Sequence, residues 1–587
     1  MDTYALDYET YYDKSCSIKT RGTLGYFSHP EFDAYMVSVV GDEGTSFVGH
    51  PKDFEWGKLE GQRVLSHNAS FDETLYLFGA TKGWWPKIEC AEWHCTADMA
   101  AYCGKPRALK GAIEDVLGVV IDKSTRDNMS GKRWDGMTEE FQDEVMEYAL
   151  KDSEYCLDLW NKLSPEWPEH ERRVSLMNRR IVQRGLPIDI KLLKEQNEHI
   201  AKKLFDVENT IPWINDAPIL SRIAFNNECR KMGLEPPASL AMTDVDANEW
   251  IRVNGGKYKW VNSVRNYRRI NALKRKLESF DYATMSDDRY YGGIMYFGAH
   301  TGRFSGSGGN LNLQNLPREE LFGVNLRGLI APKPGKRLVV VDLSQIEVRT
   351  LCWLAGDTLS LDAIKASDDI YEAFGNRFKL WESSKGILKT EDPSLRHKIK
   401  TMVLGGGYGA SPSRFASMSG MSDAEAKKAV NLYHDQMQKV VKYWNTLYRG
   451  LRPAHDKIYD YTIDLPSGRS LNYGVVRSKL TDNGISYFTK SIVKHSRKRI
   501  VNLWGGLLAE NASQALARDI FVDIMLRLEA AGLDIICHVH DEVVIEVKKD
   551  DAEETLAKVI DTMRTPPTWI PDIPLDAEGK ILERYEK

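Results

Sequence analysis

The segment "CHVHDEVVIEV", residues 537–547, contains two short runs rich in β-branched residues that meet at Asp541 and Glu542. Such runs predict the two strands of a hairpin, but the joint lacks the Asn-Gly or Asp-Gly pair that tight hairpins favour. Adjacent carboxylates suit a sheet poorly, because acidic residues are depleted in strands and like charges repel one another. The two acids therefore indicate a functional site at the hairpin.

A second segment, "RLVVVDLSQIEVRTL" (337–351), offers a further carboxylate. Four apolar residues lead to Asp342, which is the pattern of a buried strand that delivers an acid to a sheet edge. If folding brings Asp342 to Asp541 and Glu542, the three acids form a cluster of oxygen ligands suited to Mg²⁺. Two such ions activate a nucleophile and stabilise a leaving oxygen in phosphoryl transfer. The two segments together therefore predict a metal site.

A third segment, "RHKIKTMVLGGGYG" (396–409), lies between the other two. It places Arg396, Lys400 and Tyr408 four and eight residues apart, which on a helix is roughly one face. That face could offer two positive charges to a triphosphate and a ring to a base. An ordinary amphipathic helix has the same spacing, so this segment alone leaves both interpretations open.

Composition sets the remaining bounds. The chain has 587 residues, 42% of them hydrophobic, so it can bury several cores and form three or four domains. Its eight cysteines show no paired spacing, which argues against a disulfide framework. A signal peptide and a membrane-length apolar stretch are both missing, so we expect a cytoplasmic location without membrane association. The net charge of −5 does not by itself indicate a nucleic-acid-binding protein.

The three segments resemble motifs A, B and C of the family A DNA polymerases: "DLSQIEVR" (342–349), "RHKIKTMVLGGGYG" and "HDE" (540–542). "TGRFSGSGGNLNLQNLP" (301–317) resembles the primer-template segment of that family, and "PSGRS" (466–470) and "SQALARD" (513–519) resemble two further elements. The resemblance runs from about residue 180 to the C-terminus. Several motifs in the family order make a coincidence improbable.

The resemblance implies a role for each matching residue. Asp342 and Asp541 would be the metal ligands, with Glu542 as a further catalytic acid. The nucleotide site would contain Arg396, Lys400, Leu404, Tyr408, Glu347 and His540, with Glu347 excluding ribonucleotides. The DNA contacts would come from Arg303, Gln314, Asn315, Arg469 and Gln514, and from Arg268, Arg269 and Lys274 of the basic stretch "RNYRRINALKRK" (265–276).

The N-terminal section carries a different set of acids. "LDYET" places Asp7 and Glu9 on one face of a strand, and "YALKD" places Tyr148 and Asp152 at helical spacing. With Asp72 of "HNASFD", this set resembles the proofreading 3′→5′ exonucleases that have four acidic residues. The resemblance implies that the four acids hold two metal ions, that Tyr148 orients the attacking water, and that Asn68 and Phe71 shape the site.

The implied fold is α/β and α+β and multidomain, with a ribonuclease-H-like exonuclease domain followed by a right-hand polymerase. We expect the exonuclease domain at 1–170, a linker and helical thumb at 171–285, the palm at 286–350 and 505–587, and the fingers at 351–504. The first exonuclease motif begins at residue 7, which leaves no room for a preceding 5′ nuclease domain. The thumb is too short for the large insertion found in certain phage relatives.

The implied function is template-directed addition of dNTPs to a primer 3′ end with 3′→5′ proofreading, in phage DNA replication. Two Mg²⁺ ions per active site are expected, with Mn²⁺ as a substitute. The expected partners of this monomer are primer-template DNA and dNTPs, with a helicase or single-strand-binding protein as further candidates. If the chain is phage-encoded, its location is the host cytoplasm.

Two rival functions remain. An exonuclease whose C-terminal region only binds nucleic acid predicts a damaged motif A or C, and both motifs are intact. A polymerase acting on RNA is the second rival, and Glu347 argues against it because it matches the position that excludes ribonucleotides.

Overall fold

The computed structural model describes residues 1–122, 124–242, 244–307, 311–455, 457–482, 484–494 and 497–586. Five strands form a mixed sheet at the N-terminus: β1 (Thr3–Glu9), β2 (Met36–Gly41), β3 (Ser46–Gly49), β4 (Arg63–Ser66) and β5 (Glu92–Cys95). Their order is β3-β2-β1-β4-β5, with β1 antiparallel to β2 and parallel to β4.

Seven helices accompany this sheet: α1 (Ile18–Arg21), α2 (Thr23–Phe27), α3 (Ala69–Thr81), α4 (Thr96–Tyr102), α5 (Leu109–Leu117), α6 (Ser124–Met129) and α7 (Glu139–Leu163). The α7 helix packs against β1 and β2. Along β1, Tyr4, Leu6 and Tyr8 belong to one apolar core and Ala5 to another. Because side chains alternate along a strand, Asp7 and Glu9 lie on the same face as Ala5.

The next section is helical. It contains α8 (Glu169–Arg184), the short strand β6 (Leu186–Pro187), α9 (Ile190–Glu208), α10 (Arg222–Lys231), α11 (Val245–Gly255) and α12 (Lys259–Ala283). The α7 helix ends at Leu163 and α8 begins at Glu169. The long helices α9 and α12 pack against each other, while a small separate core forms around Trp213, Phe225 and Trp260.

Short strands then lead to one long strand: β7 (Arg289–Tyr290), β8 (Gly293–Met295), β9 (Ser305–Ser307) and β10 (Lys336–Leu343). The strand predicted at motif A is confirmed as β10. Its residues 338–341 are all buried, as expected for a strand with protein on both faces.

A helical region follows β10, and a second sheet ends it. The helices are α13 (Ile346–Leu354), α14 (Thr358–Lys365), α15 (Ile370–Arg377), α16 (Leu388–Glu391), α17 (Pro393–Gly406), α18 (Pro412–Ser419), α19 (Asp423–Gln436) and α20 (Gln438–Gly450). The strands are β11 (Tyr459–Asp464), β12 (Ser470–Thr481), β13 (Gly484–Thr489), β14 (Val493–Lys494), β15 (Arg497–Lys498) and β16 (Val501–Leu503). Four of these form a sheet in the order β11-β12-β13-β16.

The C-terminal section completes the sheet that β10 began. It contains α21 (Gly505–Ala530), β17 (Ile535–Val539), β18 (Glu542–Lys548), α22 (Ala552–Arg564) and β19 (Ala577–Leu582). The sheet order is β17-β18-β10-β19 and all pairs are antiparallel. Most of α21 is buried, and it belongs to the largest apolar core together with this sheet. The hairpin predicted at 537–547 is therefore confirmed as β17–β18.

The predicted α/β and α+β multidomain class is confirmed by these sheets and helices. All eight cysteines are free, as their spacing predicted. Among the described residues, no helix is long and apolar enough to cross a membrane.

Candidate active sites

The joint of the β17–β18 hairpin is a two-residue turn, because Val539 pairs with Glu542 and leaves only His540 and Asp541 between them. His540 has a φ of 60°, in the left-handed region that a residue with a side chain adopts only at a cost. The antiparallel register of β10 and β18 sets Asp342 opposite Glu542. The sheet therefore brings the three acids of motifs A and C to one edge.

Burial and the nearby charge of Asp342 raise the pKa of Asp541 to about 7, and Arg303 acts in the opposite direction. Across the described residues, no group of three or more histidine, cysteine, aspartate or glutamate side chains is arranged to hold a metal ion. Asp342 and Asp541 thus lie close enough to repel each other, but the described side chains do not form a ready-made metal site. Their oxygen atoms and mutual repulsion suit a hard divalent cation.

Glu542 also has a partner in the C-terminal segment, Tyr585. Glu542 is 3% exposed, and the hydroxyl of Tyr585 donates a hydrogen bond to its Oε1. Arg327 lies against the same tyrosine, with its guanidinium carbon 5.2 Å from the ring centroid. Neither Tyr585 nor Arg327 belongs to a motif, so this contact could not be predicted from the sequence.

A further carboxylate, that of Glu347 at the start of α13, lies near Asp541. Glu347 forms an ion pair with Arg303, and the Tyr408 hydroxyl donates to its Oε2 at 3.2 Å. Burial, followed by Glu347, raises the pKa of Tyr408 well above its usual value, so the phenol remains a donor. The structure thus joins the predicted nucleotide-site residues Glu347 and Tyr408 to Arg303 of the primer-template segment.

The remaining nucleotide-site residues lie on α17 and at the hairpin. Arg396 is bound to Asp369 at 2.7 Å, whereas Lys400 is exposed and Leu404 is 38% exposed. The helix ends at Gly406, so Tyr408 lies in the turn that follows rather than on the helical face. The prediction of one continuous helical face was wrong for Tyr408, because the consecutive glycines 405–407 end the helix early.

His540 and two residues of the primer-template segment meet at Asp541. A small cavity of about 20 Å³ is lined by Arg303, Gln314, His540 and Asp541, among others. Burial, followed by Arg303, lowers the pKa of His540, which favours its neutral form. Asn315 is exposed on the same segment, whose residues 308–310 lie outside the described residues.

Arg469 and Gln514 were predicted to contact DNA, and the structure gives both of them protein partners. Arg469 is 7% exposed, is bound to Asp519 at 2.9 Å, and donates to the backbone oxygen of Thr301. Gln514 donates to Glu510 of the preceding turn at 3.3 Å. Arg469 thus binds the backbone of Thr301, at the start of the primer-template segment, and its charge is not exposed to solvent.

The basic stretch forms part of α12 and does not present one uniform face. Arg268 and Arg269 are exposed, and the guanidinium carbon of Arg269 lies 4.9 Å from the centroid of the Phe322 ring. Lys274 is paired with Glu278 at 3.4 Å. Arg268, Arg269 and also Arg275 of this stretch are therefore accessible, while Lys274 is partly neutralised.

The N-terminal acids converge as the exonuclease resemblance implied. Asp7 and Glu9 end β1, Asp72 lies in the first turn of α3, and Tyr148 and Asp152 lie one turn apart on α7. Asp72 is 2% exposed, and its Oδ1 accepts a hydrogen bond from the backbone nitrogen of Tyr8 at 3.3 Å. Three separate elements thus deliver these five residues to one place.

The carboxylates of the N-terminal cluster also repel one another. Burial, followed by Asp152, raises the pKa of Asp7 to about 8. Burial is also the main cause that raises the pKa values of Glu9 and Asp72 well above the usual range, with Asp7 as the next contribution. Carboxylates held together in this way are the donor set that divalent cations take.

Arg126 is a residue of this site that the sequence did not reveal. Its charge acts on Asp7 and Glu9, and Tyr148 and those acids raise its own pKa. It lies in the six-residue helix α6, outside all three exonuclease segments.

A large cleft is lined by residues next to Asp72 in the sequence. Its volume is about 1140 Å³, and residues of α3 and α12 are among those that line it. Asn68 and Phe71 lie at its wall next to Asp72, and Lys82, Arg275 and Tyr282 also line it. The cleft therefore combines aromatic rings and positive charges along α3, the helix that carries Asp72.

Comparisons with known proteins identify the family of this chain. Residues 191–587 match the model of DNA polymerase family A. The DNA polymerase of Bacillus phage SP02 is 25% identical, and the match covers 100% of both chains. The thermostable DNA polymerase I of Thermus filiformis is 26% identical over 75% of this chain, which spans about half (51%) of that relative.

A solved structure is similar over the whole chain. It is described as the POL domain of Pol1 from M. smegmatis in complex with a DNA primer-template and dNTP. The TM-score is 0.68 at 19% identity, with 100% of this chain and 95% of that one covered. At this identity the likeness establishes the fold.

Proposed function

The chain belongs to DNA polymerase family A, and from that premise we propose that it extends a DNA primer by template-directed addition of dNTPs. The observation that carries the proposal is the meeting of Asp342 and Asp541 at one edge of the sheet, beside the Glu347–Tyr408 pair. Such a pair of carboxylates is the donor set that phosphoryl transfer requires.

Asp342 and Asp541 would hold Mg²⁺, two ions per site, with Mn²⁺ as a substitute. The fit rests on the raised pKa of Asp541, because a bound cation would relieve the repulsion from Asp342. Bound there, Mg²⁺ supplies activation of the primer 3′-hydroxyl and neutralisation of charge on the transferred phosphate. Glu542 would support this edge from the first position of β18.

The protein's own positive charges would bind the triphosphate. Lys400 is exposed and would bind the phosphate oxygens directly. Arg396 would first have to leave its present partner, Asp369, before it could bind them. Glu347, held by Arg303 and Tyr408, would occupy the space beside the sugar that a 2′-hydroxyl needs. This position favours deoxynucleotides over the RNA alternative.

The DNA-binding surface would be assembled from several elements. Arg303 and Gln314 line the small cavity at Asp541, Asn315 follows Gln314 in the chain and is exposed, and Gln514 lies on α21. Arg268 and Arg269 of α12 would contact duplex phosphates without regard to sequence. The boundaries given above for the thumb, palm and fingers are part of this proposal.

The N-terminal cluster supports a second activity, removal of nucleotides from a primer 3′ end. Asp7, Glu9, Asp72 and Asp152 would hold the metal ions of this site, and Tyr148 would hold the attacking water. The cleft lined by Asn68 and Phe71 would admit an unpaired strand, since aromatic rings and positive charges bind single-stranded DNA. Proofreading during phage DNA replication is the role that joins the two activities.

The test is primer extension on a template of known sequence with one dNTP omitted. We expect the protein to stop at the first template base that requires the missing nucleotide. A parallel reaction with ribonucleotides should give little product. The rival with a non-polymerising C-terminal region predicts digestion of the primer and no extension under any condition, and that result would contradict the proposal.

A further inference from the structure

The C-terminal segment after β19 contacts the β17–β18 hairpin. After β19 ends at Leu582, the backbone nitrogen of Tyr585 donates to the oxygen of Ile330 at 2.9 Å. Arg584 donates to the oxygen of Gly328 at 2.9 Å and forms an ion pair with Asp189. These contacts fix Tyr585 beside the sheet from which Asp342 and Asp541 project.

Tyr585 forms the centre of a buried group of three side chains. The exposed fractions are 4% for Tyr585, 3% for Glu542 and 4% for Arg327. The tyrosine hydroxyl donates to Glu542, and Arg327 Nη1 lies 3.5 Å from the same hydroxyl. A buried carboxylate without a partner is strongly unfavourable, so this bond fixes the Glu542 side chain.

The position of Glu542 matters because of the turn that precedes it. Asp541 lies between His540, whose backbone is left-handed, and Glu542, the first residue of β18. A strained residue keeps such a conformation only where the surrounding structure holds it. Fixing the Glu542 side chain holds one end of this turn, and the β17 strand holds the other.

We propose that Tyr585 is a positioning residue for the metal-binding turn: by holding Glu542 it keeps Asp541 in the orientation that a divalent cation needs. The proposal rests on the polymerase function proposed above. It extends the active site to the third residue from the end of the chain, and it assigns the Arg327–Tyr585–Glu542 group to metal binding as well as to packing.

The test is the Mg²⁺ dependence of primer extension in Tyr585→Phe, which removes only the hydroxyl. We expect the half-saturating Mg²⁺ concentration to rise about tenfold, the scale of a lost hydrogen bond to a charged group, while extension at saturating Mg²⁺ falls far less. Tyr461→Phe is the matched control, because Tyr461 is also buried and donates to a backbone oxygen, that of Leu447 at 3.1 Å. That control should keep the parent value.

A double-mutant comparison separates positioning from general loosening of the fold. Adding Tyr585→Phe to Glu542→Ala should cause no further rise in the half-saturating Mg²⁺ concentration, since the hydroxyl then has no partner to hold.

Truncation after Arg584 is a second variant and should raise the half-saturating Mg²⁺ concentration at least as much as Tyr585→Phe. The rate of single-strand digestion should stay at the parent level in both variants.

Either of two results would overturn the proposal. The first is a half-saturating Mg²⁺ concentration within twofold of the parent value in Tyr585→Phe or in the truncated chain. The second is an undiminished rise of that concentration when Tyr585→Phe is added to Glu542→Ala. A parent protein that extends no primer contradicts the polymerase function itself, and is thereby distinguished from a failure of the positioning role.

Discussion

Metal binding at the Asp342–Asp541 edge should weaken as the pH falls from 8 to 6. Burial and Asp342 raise the pKa of Asp541 from 3.8 to about 7. A protonated carboxyl must lose its proton before it binds a cation, so the apparent affinity falls where Asp541 is protonated. About nine-tenths of Asp541 is protonated at pH 6 and about one-tenth at pH 8, which predicts a roughly tenfold higher dissociation constant at pH 6.

The assay is Mn²⁺ binding followed by electron paramagnetic resonance, without nucleotide because phosphates titrate in the same range. The protein should carry Asp7→Ala and Glu9→Ala, so that the N-terminal acids do not contribute. Asp541→Asn in the same background is the control, and its residual binding should not vary with pH in this range. Dissociation constants within twofold of each other at pH 6 and pH 8 would refute the reasoning.

Three further outcomes follow from the two sites. Glu347→Ala should raise ribonucleotide use relative to dNTP use, measured in single-turnover extension, because the space beside the sugar opens; an unchanged ratio would place the selectivity elsewhere. Leu404→Tyr should improve incorporation of ddTTP relative to dTTP by at least about fivefold, since the new hydroxyl can pair where the 3′-hydroxyl is missing; equal ratios in the two proteins would show that Leu404 does not face the sugar. Asp7→Ala combined with Glu9→Ala should abolish digestion of single-stranded DNA while extension continues with more misincorporation, and persistent digestion would contradict the N-terminal assignment.

Local patterns predict the strands and the helix that carry most of these acids, whereas the grouping of the acids into two sites was implied by the resemblances to known families. The apolar run before Asp342 and the β-branched runs around Asp541 predict strands, and the structure pairs β10 with β18 as neighbours. Likewise, Asp7 and Glu9 share a strand face, and Tyr148 and Asp152 share a helical face. Periodicity of two or 3.6 residues places such residues on one face of their own strand or helix, but it does not show which elements meet.

Contacts between distant segments carry no such pattern. Tyr585 and Glu542 are 43 residues apart, and Arg469 and Asp519 are 50 residues apart. Only the tertiary structure shows that Arg469 is turned inward and that Tyr585 reaches the catalytic hairpin. The end of α17 at Gly406 was missed for another reason: the spacing of Arg396, Lys400 and Tyr408 favours a helix, whereas the glycines end it.

We propose that this one chain carries two separate metal-dependent sites, one that lengthens a primer and one that shortens it. The most direct measurement follows a 5′-labelled primer on a longer template with Mg²⁺ and all four dNTPs, in the parent and in Asp541→Asn. We predict that the parent lengthens the primer, whereas Asp541→Asn only shortens it at the parent rate of digestion. Continued lengthening by a folded Asp541→Asn protein would contradict the polymerase site, and an equal loss of lengthening and shortening would contradict the separation of the two sites.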